Sequence, residues 1–386
     1  MKLNDILSMA LKVNTSDVHL KAGLPPVFRI DGNLRPLPKA PRLTADMIHE
    51  MCDAIMNDRQ RARFDEIHEV DLAYGVPGLG RFRVNVFSQR NSMSAVFRAI
   101  PYKIQTLDDL ELPAVLKKIA MEHRGLVLVT GATGSGKSTT LAAMLDYING
   151  ERTAHIVTIE DPIEYLHRDR KCIINQREVG FDTDAFGTAL KGSLRQDPDV
   201  ILVGEMRDLE TTETALAAAE TGHLVLSTMH TIDAPETITR IVAMFPPHQQ
   251  RQIRLQLSGV LKGVISQRLI PRASGKGRVA AIEVMVSTAR TRDLIDDREK
   301  TVLLKDAIAQ GYTTYGMQTF DQSLMDLVQR GVITFEEALR QSSNPDDFKL
   351  KYSGISSTGD QGWQSLALDE GSAEEAENEE FKIDRI

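Results

Sequence analysis

The chain has 386 residues, 42% hydrophobic and 26% charged, with two cysteines. That is long enough for two or three domains with cores of their own, and it excludes a disordered, collagenous or disulfide-stapled protein. The net charge of −8 sits at the C-terminus, where residues 353–386 hold nine Asp and Glu against Lys382 and Arg385, a balance of −7; the near-neutral remainder offers no basic face to nucleic acid.

In chain order, residues 1–100 read as a small α+β domain. Leu3, Ile6, Leu7, Ala10 and Leu11 recur at helical spacing. Val27 to Ile30 turns through Asp31-Gly32 into Leu34, a hairpin signal. A helical stretch over 44–66 follows, then a second hairpin from Leu72–Val76 to Arg81–Phe87 and a third strand at Ser94–Ile100. Residues 101–113, bounded by prolines, read as a linker.

From residue 114 helices alternate with short apolar runs: Leu126–Thr130, Ile156–Ile159, Val200–Val203, Leu224–Thr228 and Ala280–Val286. Unbroken apolar runs are expected of parallel strands covered by helices on both faces, so residues 114–290 predict an α/β core. A helix beyond residue 247 is expected to carry Ile253, Leu257, Val260, Leu261, Val264 and Ile265 on one face. Residues 291–352 read as C-terminal helices, one from Met317 to Arg330 ending at Gly331, the next opened by a Thr334/Glu337 capping box. The tail at 353–386 has the composition of a disordered segment. Cys52 and Cys172 are too few for a four-ligand zinc site. No apolar run nears the roughly 18 residues of a spanning helix, and Asp5 interrupts the place of a signal-peptide core; a cytoplasmic protein without a membrane span is expected.

The chemistry is carried by Gly131-Ala132-Thr133-Gly134-Ser135-Gly136-Lys137-Ser138, followed by Thr139, between a predicted strand and a helix. Glycines let main-chain N–H groups turn toward phosphate oxygens, the helix N-terminus adds positive potential, Lys137 suits the β- and γ-phosphates, and Ser138 suits Mg²⁺. ATP and Mg²⁺ are therefore the expected ligands. Hydrolysis also requires acids: Asp199 to Glu205 is a strand ending in a carboxylate, with Gly204 where many such enzymes carry Asp, and Glu160-Asp161-Pro162-Ile163-Glu164 ends another. Acids at the carboxyl ends of neighbouring parallel strands face the ligand crevice. His230 stands just past Leu224–Thr228.

Together with the phosphate loop, Thr158–Glu164, Arg195–Asp199 through Glu205–Asp208, and Thr221–Leu224 through Thr228–Thr231 resemble the four motifs of the secretion ATPase superfamily. Within it the chain is similar to the type IV pilus retraction ATPases of the PilT/PilU kind. Ser16–Leu20, Gly80–Val84 and Gly316–Asp321 extend the resemblance over nearly everything to about residue 350. It implies a PAS-like N-terminal domain, a RecA-like ATPase domain and a homo-hexameric ring. It also implies that Glu205 serves the metal side, Glu164 the attacking water and His230 the γ-phosphate. Arg83 and Arg98 match arginines that reach nucleotide at subunit contacts, with Arg81 and Arg90 weaker candidates.

The run Gln176–Asp184 and the extension beyond Asn344–Asp347 favour the PilU branch, and Ala289–Ile295 departs from the motif tied to retraction in the PilT branch. The implied role is an ATPase motor of pilus retraction and twitching motility, peripheral at the inner membrane on a platform protein and paired with a PilT-type ring. Two alternatives stay open at this point: an accessory nucleotide-binding ring subunit with little turnover, and a pilus assembly or secretion ATPase. The second is expected to bring a longer N-terminal region and often a four-cysteine insert.

Overall fold

The computed structural model describes residues 2–13, 15–30, 33–100 and 104–354. The Asp31-Gly32 turn, and the acidic tail from residue 355 on, lie outside them. The chain divides into two compact units, the first made of Met1–Ile104, Asp161–Arg168 and Arg177–Asp184, the second of Gln105–Glu160, Asp169–Gln176 and Ala185 onward.

In the first unit the order is α1 (Leu3–Lys12), β1 (Asp17–Leu20), β2 (Val27–Ile30), β3 (Asn33–Pro36), α2 (Ala45–Asp53), α3 (Asp58–Ile67), β4 (Glu69–Val76), β5 (Gly80–Gln89) and β6 (Ser92–Ile100). Among the described residues the strands form one antiparallel sheet, β3-β2-β1-β6-β5-β4. The helical stretch expected over 44–66 consists of two helices, each opened by a side-chain cap, Thr44 accepting from the Met47 amide and Asn57 from the Gln60 amide. Strand alternation sends Phe82, Val84 and Val86 of β5 into the core, where they meet Ile6, Leu7, Ile48 and Phe97. The same alternation turns Arg81 and Arg83 outward.

In the second unit the order is α4 (Val115–Ala120), β7 (Gly125–Thr130), α5 (Lys137–Glu151), β8 (His155–Glu160), β9 (Ile173–Glu178, whose last two residues group with the first unit), α6 (Phe186–Ser193), β10 (Val200–Val203), α7 (Leu209–Glu220), β11 (Leu224–Met229), α8 (Ala234–Ala243), α9 (Gln250–Val260), β12 (Leu261–Pro271) and β13 (Arg278–Val286). The helices α10 (Ala289–Asp296), α11 (Leu304–Gln310), α12 (Tyr312–Tyr315), α13 (Phe320–Gln329), α14 (Phe335–Gln341) and α15 (Pro345–Tyr352) close it. The described strands form one sheet, β13-β12-β7-β11-β10-β8-β9, parallel from β12 through β8. Every residue of β7, β10 and β11 is buried, as strands covered on both faces require.

Three expectations are corrected here. The helix beyond residue 247 stops at Val260, and Leu261, Val264 and Ile265 belong to strand β12, which pairs with β7 on one side and β13 on the other. A strand buried on both faces has no alternation to betray it, and two sheet partners outweigh a helical spacing. Ala280–Val286, expected parallel, runs antiparallel to β12. Residues 105–112 of the expected linker are part of the second unit, with Leu107 and Leu112 buried among Leu116, Ile119 and Val129.

Candidate active site

The phosphate loop leaves β7 at Thr130 and enters α5 at Lys137. Gly131, Gly134 and Gly136 all have φ in the range that favours glycine, at 140°, 79° and 92°. At two of them space adds to the demand. A Cβ on Gly131 would lie 2.4 Å from the Gln267 carbonyl oxygen and 2.6 Å from Ser135 Oγ, and one on Gly136 would lie 2.7 Å from Gln267 Nε2. Lys137 is buried, its Nζ donating to the carbonyls of Gly131 (2.8 Å) and Ala132 (3.0 Å). Ser135 Oγ is buried without a hydrogen-bond partner. Ala132, Thr133 and Gly134 are exposed along a cavity of about 360 Å³ that Arg268 and Arg278 also line, while Thr139 and Gly136 border a second of about 350 Å³. A glycine cradle that a side chain would fill, an unsatisfied hydroxyl and a lysine ammonium folded onto its own loop suit a polyphosphate. Ser138, half-buried in the first turn of α5, is the residue of this set that could hold a metal ion.

Because β7, β11 and β10 are neighbours in register, their carboxyl ends lie side by side. The Gly131 amide donates to the Met229 carbonyl, and Thr228 Oγ1 donates to the Gly204 carbonyl at 2.6 Å. Glu205 and His230 are thereby brought together: His230 Nε2 is 3.5 Å from Glu205 Oε2, and Arg207 Nε lies 2.5 Å from Glu205 Oε1. The Glu205 side chain is 14% exposed and makes both contacts from a largely covered position. Gly204 is closely packed, since a Cβ there would come within 3.2 Å of the Ile159 carbonyl oxygen. Glu160 ends β8 and accepts from Thr158 Oγ1 (2.6 Å) and Gln176 Nε2 (3.1 Å).

The other predicted residues lie in the first unit. Glu164 is exposed within Asp161–Arg168. Arg83 and Arg98 face each other across the β5–β6 ladder, both exposed. Arg98 Nε donates to Asp17 Oδ1 at 2.8 Å. Burial pushes the Asp17 carboxyl up, but hydrogen bonds from Arg98 and Ser16 outweigh it and hold the group below its ordinary value. Arg81 pairs with Glu178 at 3.0 Å; burial raises the Glu178 carboxyl and the Arg81 charge offsets part of that. Arg90 sits with Asn91 in the tight turn between β5 and β6, both at positive φ, which marks it as a turn residue.

Sequence reasoning missed Gln267, whose Oε1 accepts from Thr140 Oγ1 at 2.7 Å and whose main chain closes over Gly131, and it missed Glu283 of β13. Gln267 lies just past the residues read as helix, and Glu283 lies inside an expected strand; nothing near either in the chain marks it for the site.

Residues 1–340 match the model of the family described as type II/IV secretion system protein. The chain is 49% identical over 348 residues to the type IV pilus retraction ATPase PilT of Pseudomonas aeruginosa, covering 90% of this chain and 100% of that one. It is 45% identical over 350 residues to the type IV pilus ATPase PilU of the same organism, covering 91% of each. A crystal structure of the pilus retraction motor PilT with bound ADP superposes with a TM-score of 0.80 at 48% identity, over 90% of this chain and 98% of that one.

Proposed function

Because the chain belongs to the type II/IV secretion system protein family, we propose that it is a P-loop ATPase that drives type IV pilus retraction, and with it twitching motility, as a ring of six identical subunits. The observation that carries this reading is the glycine cradle with Lys137 folded inside it, set beside Glu205 and His230 at the ends of adjacent strands. Among the described residues no helix is long and apolar enough to cross a membrane. The motor is read as cytoplasmic, held at the inner membrane by a platform protein.

Lys137 meets the β- and γ-phosphates, and the main-chain amides of Gly131 to Gly136 cradle them. Ser138 and Glu205 would hold Mg²⁺, which when bound would supply charge to offset that of the phosphate oxygens. Glu164 orients the attacking water and takes its proton. His230, tied to Glu205, senses the γ-phosphate. Arg83 and Arg98 reach the nucleotide of an adjacent subunit, where a guanidinium offsets charge on the phosphoryl group in transit. Identities of 49% and 45% do not separate the two branches. A PilU-like role beside a PilT-type ring rests on the segments 176–184 and 289–295 and on the C-terminal extension.

The test is complementation in mixed rings. Lys137→Ala and Arg98→Ala should each lower turnover by about a thousandfold or more, the scale of losing an arginine that acts in trans. Mixing the two should restore part of it, since some interfaces then join an intact loop to an intact arginine. Near wild-type hydrolysis by Lys137→Ala would remove the ATP site from the loop. Absence of rescue in rings shown to be mixed would confine Arg98 to its own subunit.

A further inference from the structure

Glu283 is a carboxylate in the middle of β13, 3% exposed, outside the loop, acid and histidine motifs. Its Oε1 accepts from the Ala234 amide at 2.9 Å and from Ser266 Oγ at 3.4 Å. Ser266 Oγ in turn accepts from Thr130 Oγ1 at 3.1 Å. All four residues are buried. When ionised, Glu283 can only accept, and the chain then runs one way: Thr130 donates to Ser266, Ser266 donates to Glu283, and Ala234 donates from the other side.

The two ends of this chain matter. Thr130 is the last residue of β7, immediately before Gly131. Ala234 is the first residue of α8, four positions after His230. Its amide cannot be paired inside the helix, Pro235 after it has no N–H, and the Asp233 cap is used on the Glu236 amide. Glu283 is thus the acceptor for a buried donor that nothing else in the helix start satisfies, and in its ionised form it also meets the positive end of α8. The charged groups facing it are Asp233 at the cap of α8 and Lys305 of α11, which pair with each other at 3.1 Å.

We propose that Glu283 is a positioning residue for hydrolysis: through Ser266 and Thr130 on one side and Ala234 on the other, it locks the loop that carries His230 to the strand end that launches the phosphate loop. The separation of those two loops decides whether His230 stands where a γ-phosphate lies. This inference rests on reading the loop as an ATP site.

The test uses the full chain with Glu283→Ala, Ser266→Ala, and Glu283→Gln, which keeps an accepting oxygen at the same place. Hydrogen exchange without nucleotide is the first readout: the 230–237 segment should exchange about tenfold faster in Glu283→Ala and near the wild-type rate in Glu283→Gln. Unchanged exchange in Glu283→Ala would overturn the proposal whether or not the protein hydrolyses ATP. Turnover is the second. Glu283→Ala should lose about tenfold in kcat while ATP affinity stays within about threefold, Ser266→Ala should lose less, and Glu283→Gln should recover most of the rate. In a His230→Ala background, adding Glu283→Ala should change kcat by less than about twofold, because a residue acting through His230 has nothing left to act on. A full additive loss there would reduce Glu283 to a packing role. Failure of the wild type to bind ATP would instead refute the site reading, leaving the exchange result to decide the lock.

Discussion

Replacing Gly131 by Ala separates two demands that the phosphate loop makes on its first residue. The backbone there has φ of 140°, and an added Cβ would lie 2.4 Å from the Gln267 carbonyl oxygen and 2.6 Å from Ser135 Oγ. Ser135 can rotate away, but the Gln267 carbonyl belongs to β12, which is paired with β13 through this stretch and cannot shift alone. Gly134 is the control, with φ of 79° and nothing within 4 Å of the position its Cβ would take. Both substitutions carry backbone strain of about 1–2 kcal/mol. Gly131→Ala adds about 1–3 kcal/mol for forcing an atom into filled space, so it should cost about 2–5 kcal/mol in total. Urea denaturation of the full chain followed by circular dichroism measures this, comparing midpoints because two units need not melt together. ATP affinity, measured in parallel, should fall further in Gly131→Ala, since a displaced β12 carries Gln267 away from Thr140. Equal midpoints for the two variants would show that the close approach of β12 is no constraint on the loop.

Two further outcomes are expected. Burial raises the Glu283 carboxyl from its ordinary 4.5 to about 7, so its ionised form is disfavoured in the fold; the cost is full above pH 7 and fades as pH falls toward 4.5. The stability difference between Glu283→Gln and wild type should therefore move in the variant's favour by at most about 3 kcal/mol between pH 5 and pH 8, and a difference independent of pH would show that Glu283 titrates normally. Among the acids, Glu164→Gln should keep ATP and Mg²⁺ binding while slowing turnover by about a hundredfold or more, since an amide cannot take a proton from water. Glu205→Gln should in addition raise the Mg²⁺ concentration needed for half-maximal rate, and a titration shifted only in the Glu164 variant would reverse the two roles.

The phosphate loop, the strands at its flanks and the acid and histidine at neighbouring strand ends were legible in the sequence, because each depends on residues close by in the chain. A glycine at positive φ, a lysine six positions on and a helix start are local requirements. An apolar run ended by Glu205 or His230 declares both its burial and its exit. The outward arginines of β5 were legible for the same reason, through alternation with Phe82, Val84 and Val86. What the tertiary structure decided is the identity of β12. Leu261, Val264 and Ile265 continue a helical spacing, and these residues by themselves do not choose between helix and strand. The choice comes from β7 and β13, which satisfy the β12 main chain on both sides. With that strand came Gln267 over Gly131 and Ser266 beside Thr130, contacts between residues 136 apart in the chain. The burial of Leu107 and Leu112, and the grouping of Glu164 and Glu178 with the first unit, were set the same way. Local rules reach only as far as a turn of helix or a hairpin, whereas the closure of a parallel sheet is settled by whichever distant strand leaves the fewest buried main-chain groups unpaired.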